Sequence, residues 1–379
     1  MVHRPRRLLF LVASDWYFCG HRLPLATRIA EAGYEVHVAT PPGRFRQTIE
    51  RAGLHYSPIA IDRQGLNPFT DLQTVGRLVR LYRTIRPDIV HHVALKPILY
   101  GSLAARITRV PAVVNAMPGM GYVFLSRQLL SRAMRPGVLA AFKMLVNGPN
   151  SRVILQNPDD IESWVRRGVM RRDRIALIRG AGVDTTHFAV TDEPSGVPLV
   201  VLPARMLYDK GVREFVAAAR QLRARGVAVR MALVGEGDPG NPASVRPDEL
   251  QAWANEGIIE LFGWRDDMRE VIAQANVVCL PSYGEGLPKA LLEAAACGRA
   301  IVTTDVPGCR EIVRDEDNGL LVPVRDGKAL GDALERVVGD EALRKRMGAR
   351  GRTRAVTEFS ADIVARQTLD LYEELSRTK

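Results

Sequence analysis

The chain has 379 residues, of which 46% are hydrophobic and 25% charged, a composition that is typical of soluble globular proteins and excludes disordered and collagen-like chains. The net charge of +11 is uneven, because residues 1–190 hold 27 Lys and Arg against 12 Asp and Glu, whereas residues 191–379 hold 26 against 30. The four cysteines are too scattered for a disulfide framework, and the seven histidines show no metal-ligand spacing.

Short apolar, β-branched runs alternate with helical patterns in the first half of the chain. They predict strands at residues 8–13, 36–40, 89–94, 112–117 and 153–156. The run at 8–13 follows a basic start, but a signal peptide needs an apolar core of about 7–15 residues and this run has six. A helix is predicted at 23–32, ended by Gly33 in the left-handed conformation. No run reaches the ~18 apolar residues that a membrane span requires.

The same alternation restarts after Gly182. It predicts strands at residues 199–203, 230–234, 258–262, 277–281 and 300–304. Strands that alternate with helices predict parallel sheets, and hence two doubly wound α/β domains. We place these domains at 1–190 and 191–358, with a final helix in 359–379 that returns to the N-terminal domain. Ligands of such sheets bind beyond the carboxyl ends of the strands, so a cleft between the domains is the expected site.

Residues 89–158 form a stretch with eight basic residues and no acidic one. Within it, residues 125–146 combine apolar side chains with bases, a pattern that is typical of an amphipathic helix lying in a membrane interface. The bases are Arg127, Arg132, Arg135 and Lys143. The alternative is a core helix with a solvated basic edge, broken at Pro136. Nucleic acid is not favoured, because the chain has 6% aromatic residues and no helix-turn-helix, zinc-finger or RNP signature.

The most informative motif spans residues 281–298, where a buried strand leads into a glycine-flanked loop with Glu285 and then into a helix that Gly298 ends. Pro288 suits the first helical position, where a missing N–H costs nothing. The free amides of the helix N-terminus form an anion site suited to a diphosphate. Glu293 lies ~7–8 Å further along the helix, so the two carboxylates can hold different parts of one extended ligand. The alternative is a plain strand–helix unit with a solvated glutamate.

A second motif, at residues 202–211, places Arg205 and Lys210 on either side of a turn, where both cations can converge on one diphosphate. Together the two motifs resemble the retaining glycosyltransferases of family four, whose GT-B fold has two Rossmann-like domains facing across a cleft. Further landmarks of that family lie at 180–184, 234–237 and 318–323, so the resemblance covers essentially the whole chain.

Three motifs of the first half, which begin at His21, His91 and Pro118, are similar to those of bacterial enzymes that add N-acetylgalactosamine to an undecaprenyl-diphosphate-linked sugar. One departure lies in the loop after the first strand, where many family members carry two glycines and this sequence has only Gly20. The resemblance implies a UDP-sugar donor, a polyprenyl-diphosphate-linked saccharide as acceptor, retention of configuration and no metal or other cofactor. It also implies a cytoplasmic protein that is peripheral on the inner face of the plasma membrane.

The residues that the resemblance implies fall into three groups. The catalytic candidates are Glu285 and His92. The donor-binding candidates are Gly20, Arg205, Lys210, Trp264, Gly286, Leu287, Pro288 and Glu293. The acceptor-binding candidates are His21, Arg22, Lys96, Gly119 and Gly121. In this scheme the two cations neutralise the diphosphate, Glu293 accepts hydrogen bonds from the ribose, Trp264 borders the base, and Glu285 orients the reacting sugar.

Several alternatives stay open. His91 and His92 can simply fill the end of a strand, or His92 can reach the cleft. A nucleotide-sugar 2-epimerase has the same fold, but it would leave the acid-free stretch unexplained; a different donor, GDP-mannose or UDP-glucose, is also compatible. The glycines at 235–240 imitate a dinucleotide fingerprint, but prolines interrupt the segment where its helix should begin. The acidic triplet at 315–317 imitates a metal-binding motif, and a solvated polar turn accounts for it better.

Overall fold

The computed structural model describes residues 4–62, 68–118, 129–238 and 240–377. The chain forms two compact units, one made of Met1–Ala181 with Ala361–Lys379 and the other of Gly182–Ser360. The boundaries predicted from the sequence lie after residues 190 and 358. Each unit contains one parallel sheet, because its strands are connected through helices rather than through tight hairpin turns.

The first unit is built on a seven-stranded sheet with the order β3-β2-β1-β4-β5-β6-β7. Its strands are β1 (Arg7–Val12), β2 (Glu35–Thr40), β3 (His55–Pro58), β4 (Ile89–Val93), β5 (Ala112–Ala116), β6 (Ser151–Leu155) and β7 (Ile175–Leu177). Five of these strands are predicted from the sequence, whereas β3 and β7 are not. Both are short edge strands in which no residue is buried, so no buried apolar run marks them.

Helices cover both faces of this sheet. In chain order they are α1 (Asp15–His21), α2 (Leu23–Glu31), α3 (Arg46–Arg51), α4 (Pro68–Ile85), α5 (Leu95–Thr108), α6 (Leu129–Val146) and α7 (Pro158–Arg166). One face of the sheet is covered by α4, α5 and α6, whose apolar residues pack on Leu9, Val90 and Val153. The predicted end of α2 is confirmed, since Gly33 has a φ of +93°.

The helix predicted at 125–146 is α6, which begins at Leu129; residues 125–128 lie outside the described part of the chain. The helix continues through Pro136, so the break expected for the core-helix alternative is absent. Of the helices in the described ranges, none combines the length and the apolar character needed to cross a bilayer.

The second unit is built on a six-stranded sheet with the order β10-β9-β8-β11-β12-β13. Its strands are β8 (Leu199–Pro203), β9 (Arg230–Val234), β10 (Glu260–Gly263), β11 (Val277–Leu280), β12 (Ala300–Thr304) and β13 (Leu320–Val322). Its helices are α8 (Val212–Ala224), α9 (Pro247–Asn255), α10 (Met268–Ala273), α11 (Lys289–Ala296), α12 (Pro307–Ile312), α13 (Gly327–Gly339) and α14 (Glu341–Glu358). All five strands predicted for this half are present, and β13 is additional.

The last helix, α15 (Ala361–Arg377), belongs to the first unit. It packs on the sheet face that α2 also covers. Tyr372 places its hydroxyl 2.6 Å from His91 Nδ1, and Asp362 pairs with Arg28 at 2.7 Å. Apolar packing and polar contacts from two different turns therefore fix this helix on the unit.

Candidate active site

The centre of the six-stranded sheet contains the point where strand order reverses, between β8 and β11. The loops that leave two such neighbouring strands diverge, and they open a crevice at the carboxyl edge of the sheet. The loop after β8 carries Arg205 and Lys210, and the loop after β11 carries Glu285. The two motifs identified in the sequence thus meet at one edge of this unit.

An ion pair joins these two loops. Lys210 Nζ donates to Glu285 Oε1 at 2.6 Å, and the two side chains are only 18% and 13% exposed. The approach depends on Gly211, which has a φ of +75° and whose added Cβ would lie 2.0 Å from the carbonyl oxygen of Pro281. Only glycine fits there, since both the backbone conformation and the space exclude a side chain. An ammonium and a carboxylate are therefore held side by side.

Tyr283, two residues before Glu285, anchors the same loop. Its hydroxyl donates to Glu214 Oε1 at 2.6 Å, and the guanidinium carbon of Arg325 lies 4.5 Å from its ring centroid. Burial, together with the neighbouring Glu214 carboxylate, raises the pKa of Tyr283 to about 12. Its backbone N–H also donates to the carbonyl of Asp209 at 2.8 Å. This anchor is not predicted from the sequence, because its partners come from two distant segments, residues 209–214 and Arg325.

Gly308 packs against the loop from the other side. A Cβ at this position would lie 2.5 Å from the carbonyl oxygen of Glu285 and 2.6 Å from that of Gly286. The hydroxyl of Thr304, at the end of β12, also donates to the Ser282 carbonyl. The backbone that carries Glu285 is therefore confined by β12 and α12 as well as by the lysine.

Arg205 does not share a protein partner with Lys210. Its guanidinium pairs with Asp238, which follows β9. Both cations lie on the loop after β8, but each is held by a different carboxylate, so their predicted convergence on one diphosphate stays a prediction. Trp264 follows β10 and is exposed at the same edge of the sheet.

Glu293 lies inside α11, the helix that follows the Glu285 loop, and is only 4% exposed. Burial raises the pKa of its carboxyl group, while Lys289, one turn earlier at 3.1 Å, opposes this effect. Pro288 is the residue that caps the helix, with a ψ of 116°, so it precedes the first helical position to which the sequence analysis assigns it. Gly286 is buried beside it, and Leu287 packs on the core. As predicted, Gly298 ends the helix, with a φ of +69°.

The acceptor candidates lie in the first unit, whose strand order reverses between β1 and β4. The donor-binding candidate Gly20 also lies in this unit, and it is part of α1 rather than of a loop, which corrects the expectation from sequence. His21 stacks on the ring of Tyr17, with centroids 4.2 Å apart. Lys96, in the first turn of α5, donates to the Asp62 carbonyl at 2.7 Å. Gly119 and Gly121 lie outside the described residues.

Arg22 and His92 are both almost fully enclosed. Arg22 is 2% exposed, and its Nε atom has no hydrogen-bond partner among the described residues. His92 lies within β4, with Nε2 3.0 Å from the Tyr82 hydroxyl and Nδ1 2.8 Å from Asn115 Oδ1. Burial lowers the pKa of His92 to about 4. The strand-packing alternative thus describes His92 in this structure, and its catalytic role stays a prediction.

Asp15 is a further residue that the sequence analysis misses. It follows β1, and its carboxylate accepts hydrogen bonds from the backbone N–H groups of Trp16 at 2.8 Å and of Phe45 at 2.9 Å. Gly43 makes the approach possible, since an added Cβ would overlap the carboxylate. Asp15 therefore ties the segment after β1 to the loop after β2 at the edge where the acceptor candidates lie.

No group of three or more His, Cys, Asp and Glu side chains in the described ranges could hold a metal ion. The acidic triplet at 315–317 forms a turn in which Asp315 accepts from the Leu321 N–H at 2.9 Å and Asp317 pairs with Arg350. The turn is present as predicted, but these two carboxylates bond to groups of the protein rather than to solvent alone.

Comparison with known proteins covers both units. The model of the family described as "Glycosyl transferase 4-like" matches residues 7–157, and that of "Glycosyl transferases group 1" matches residues 197–340. The chain is 30% identical over 367 residues to the lipopolysaccharide core biosynthesis glycosyltransferase LpsE of Rhizobium meliloti, covering 94% of each chain. It is 27% identical over 376 residues to a Campylobacter jejuni N,N'-diacetylbacillosaminyl-diphospho-undecaprenol alpha-1,3-N-acetylgalactosaminyltransferase, covering 96% of each chain.

Solved structures agree on the fold. The crystal structure of Anabaena HepE in complex with UDP and glucose superposes with a TM-score of 0.80 at 18% identity, covering 97% of this chain and 99% of that one. The two parallel sheets of this chain, of seven and six strands, match that GT-B architecture. The chain therefore belongs to the family of GT-B glycosyltransferases that combine a glycosyl transferase 4-like domain with a group 1 domain.

Proposed function

We propose that this glycosyltransferase moves a sugar, N-acetylgalactosamine or a related hexose, from a UDP-sugar to a polyprenyl-diphosphate-linked saccharide in bacterial glycan assembly. Transfer retains the anomeric configuration and uses no metal. Two relatives support the acceptor class: the Campylobacter enzyme described above, and an Escherichia coli enzyme, 24% identical over 80% of this chain, that is named UDP-Gal:alpha-D-GlcNAc-diphosphoundecaprenol alpha-1,3-galactosyltransferase.

The observation that carries this proposal is the Lys210–Glu285 pair at the carboxyl edge of β8 and β11. During sugar transfer, negative charge grows on the departing diphosphate and positive charge grows on the anomeric carbon. Lys210 and Arg205, on the same loop, supply fixed positive charge for the departing diphosphate. The Glu285 carboxylate supplies negative charge for the anomeric carbon. Charges that are already in place stabilise a transition state without reorganisation at the moment of reaction.

The acceptor class also requires access to a lipid. We propose that the protein is cytoplasmic and binds peripherally to the inner face of the plasma membrane, since a polyprenyl diphosphate stays in the bilayer. The acid-free stretch at 89–158, which contains β4, α5, β5, α6 and β6, supports attraction to anionic lipid.

The decisive test measures UDP release and product formation from UDP-N-acetylgalactosamine with and without a polyprenyl-diphosphate-linked saccharide. We expect turnover only with the acceptor, an α-linked product, and no loss of rate in excess EDTA. Sugar interconversion without acceptor would instead identify a 2-epimerase. GDP-mannose and UDP-glucose, assayed in parallel, define the donor.

A further inference from the structure

The loop after β9, which begins with the glycine-rich segment at 235–240, lies against the loop after β8 that carries the two active-site cations. Backbone hydrogen bonds join the two loops along their length. The N–H of Met206 donates to the Glu236 carbonyl at 2.8 Å. Two residues further on, the N–H of Tyr208 donates to the Ala243 carbonyl, also at 2.8 Å. The loop after β9 is therefore a fixed support for the loop after β8.

Glycines allow this close packing. Gly235 has a φ of +136°, and an added Cβ would lie 2.0 Å from the carbonyl oxygen of Ala204. An added Cβ at Gly237 would lie 2.8 Å from the hydroxyl oxygen of Ser244. The glycine spacing that imitates a dinucleotide fingerprint is thus explained by packing of the segment on its own protein.

Asp238 follows these glycines, and the loop itself fixes its position. Its backbone N–H donates to Ser244 Oγ at 3.0 Å, and its carbonyl accepts from the Asn241 N–H at 2.9 Å. The side-chain amide of Asn241 also donates to Asp238 Oδ2 at 3.4 Å. Backbone and carboxylate are therefore both held by neighbours within the loop, independently of the contact with Arg205.

The Arg205 guanidinium meets the Asp238 carboxylate through Nη1. The Arg205 side chain is 42% exposed, and among the described residues no second carboxylate pairs with it. This contact differs from bidentate pairs such as that of Arg230, which engages Glu260 through both Nε and Nη2. Because Asp238 uses one terminal nitrogen, the N–H groups on Nε and Nη2 remain available for phosphate oxygens, which a guanidinium binds in pairs.

We propose that Asp238 is a positioning residue, which holds the Arg205 guanidinium in the orientation that binds the donor diphosphate. This rests on the proposed function, in which a nucleoside-diphosphate sugar binds at the edge of β8 and β11. Arginine has a long flexible side chain, and ordering such a side chain at the moment of binding weakens affinity. Asp238 reduces that loss, because its own position is fixed before the ligand arrives.

An ion pair can also have the opposite effect, in which the carboxylate competes with the ligand for the cation. The contact through a single nitrogen favours positioning, because the donor can bind Arg205 while the pair with Asp238 stays intact. Positioning predicts weaker donor binding when the carboxylate is neutralised, whereas competition predicts tighter binding. The sign of the change therefore distinguishes the two roles.

The test is calorimetric titration of the full chain with UDP, for wild type, Asp238→Asn, Arg205→Ala and the double variant. Asp238→Asn keeps the size of the side chain and the backbone N–H that donates to Ser244, but it removes the charge. We expect UDP binding to weaken by between about twofold and about tenfold, the range for ordering one long side chain. In the Arg205→Ala background the same substitution should have no further effect, because no guanidinium is left to position.

The matched control is Glu260→Gln, which removes a carboxylate from the Arg230 pair at the amino end of the same sheet. We expect wild-type affinity for UDP, since this pair lies at the opposite edge from the crevice. Loss of affinity in this control equal to that of Asp238→Asn would overturn the proposal. Damage to the fold would likewise weaken binding equally with and without Arg205, so the double variant separates positioning from a merely structural role.

Two results for Asp238→Asn would contradict positioning: tighter binding of UDP than in wild type, or equal weakening in the wild-type and Arg205→Ala backgrounds. A wild type that binds GDP instead of UDP contradicts the proposed donor alone, and the same set of titrations with GDP then decides the role of Asp238. Absence of wild-type binding to both nucleotides would overturn both proposals. These titrations contain no acceptor, so the acceptor class is tested separately.

Discussion

The substitution Gly308→Ala, which adds a single methyl group, should displace Glu285 while the rest of the fold stays in place. Gly308 lies in α12, and an added Cβ would be 2.5 Å from the carbonyl oxygen of Glu285, whereas real Cβ contacts essentially never fall below 3.0 Å. The two backbone segments must therefore move apart by about 0.5 Å or more. Both belong to regular packing against β12, so the shift cannot be absorbed by a flexible side chain.

The expected magnitude follows from two effects. Overpacking that moves backbone costs about 1–3 kcal/mol of unfolding free energy, which lowers the melting temperature measurably. Misplacement of a reacting group by ~1 Å can cost 10²-fold in rate, so a shift of about half that size should lower kcat roughly tenfold. The donor KM should also rise, because the displaced segment includes Gly286, a donor-binding candidate whose carbonyl oxygen would lie 2.6 Å from the added Cβ.

The matched control is Gly284→Ala, one residue before Glu285 on the same loop. An added Cβ at Gly284 meets no atom within 4 Å, so we expect near wild-type kcat and stability. Steady-state kinetics and thermal unfolding of both variants make the comparison. If Gly308→Ala keeps the kcat of Gly284→Ala, the close packing of α12 does not position Glu285 and the reasoning is refuted.

Three further predictions concern named side chains. Glu285→Gln should lower kcat with little change in KM, whereas Glu293→Gln should mainly raise the donor KM, because we assign only Glu285 to the reacting sugar. Steady-state kinetics of both variants test this, and an unchanged kcat for Glu285→Gln would contradict its assigned role. Arg205→Ala and Lys210→Ala should lose less together than the sum of their single losses in activation free energy, because we propose that both serve one diphosphate; strict additivity would contradict this. His92, with a folded-state pKa lowered to about 4, contributes stability that is complete above its unfolded pKa of about 6.5 and is lost as pH falls toward 4. Chemical denaturation of wild type and His92→Gln across that range should show a shallower acid loss in the variant.

The sheets could be predicted from the sequence wherever both faces of a strand are buried. The bounds of β8, β9 and β12 coincide with the predicted runs, because such strands consist of consecutive apolar, β-branched residues. Strands β3, β7 and β13 are only three or four residues long and partly exposed, so their sequences carry no comparable signal. Each of these strands pairs with a neighbouring strand that would otherwise be the edge of the sheet, so its formation depends on the tertiary fold.

Individual residues of the site could be predicted from the sequence, but the contacts between them could not. Local spacing identifies Lys210 and Glu285, yet their contact spans 75 positions and exists because β8 and β11 are neighbours in the sheet. The confining groups were missed for the same reason: the hydroxyl of Tyr283 bonds to Glu214, 69 positions away. A motif shows which chemical groups are present, whereas strand order decides which of them touch.

Counting charged residues along the sequence also leaves out which of them are in contact. A net-charge count by segment indicates that the first half meets something negative, but it weighs every arginine equally. In the second unit, many arginines are neutralised in pairs such as Arg213 with Glu249 and Arg230 with Glu260, so their number says nothing about partners. The α4 arginines lie before the acid-free stretch that begins at residue 89, and sequence counting separates them from it. Packing of α4 beside α5 joins the two sets into one surface, which a count along the sequence does not show.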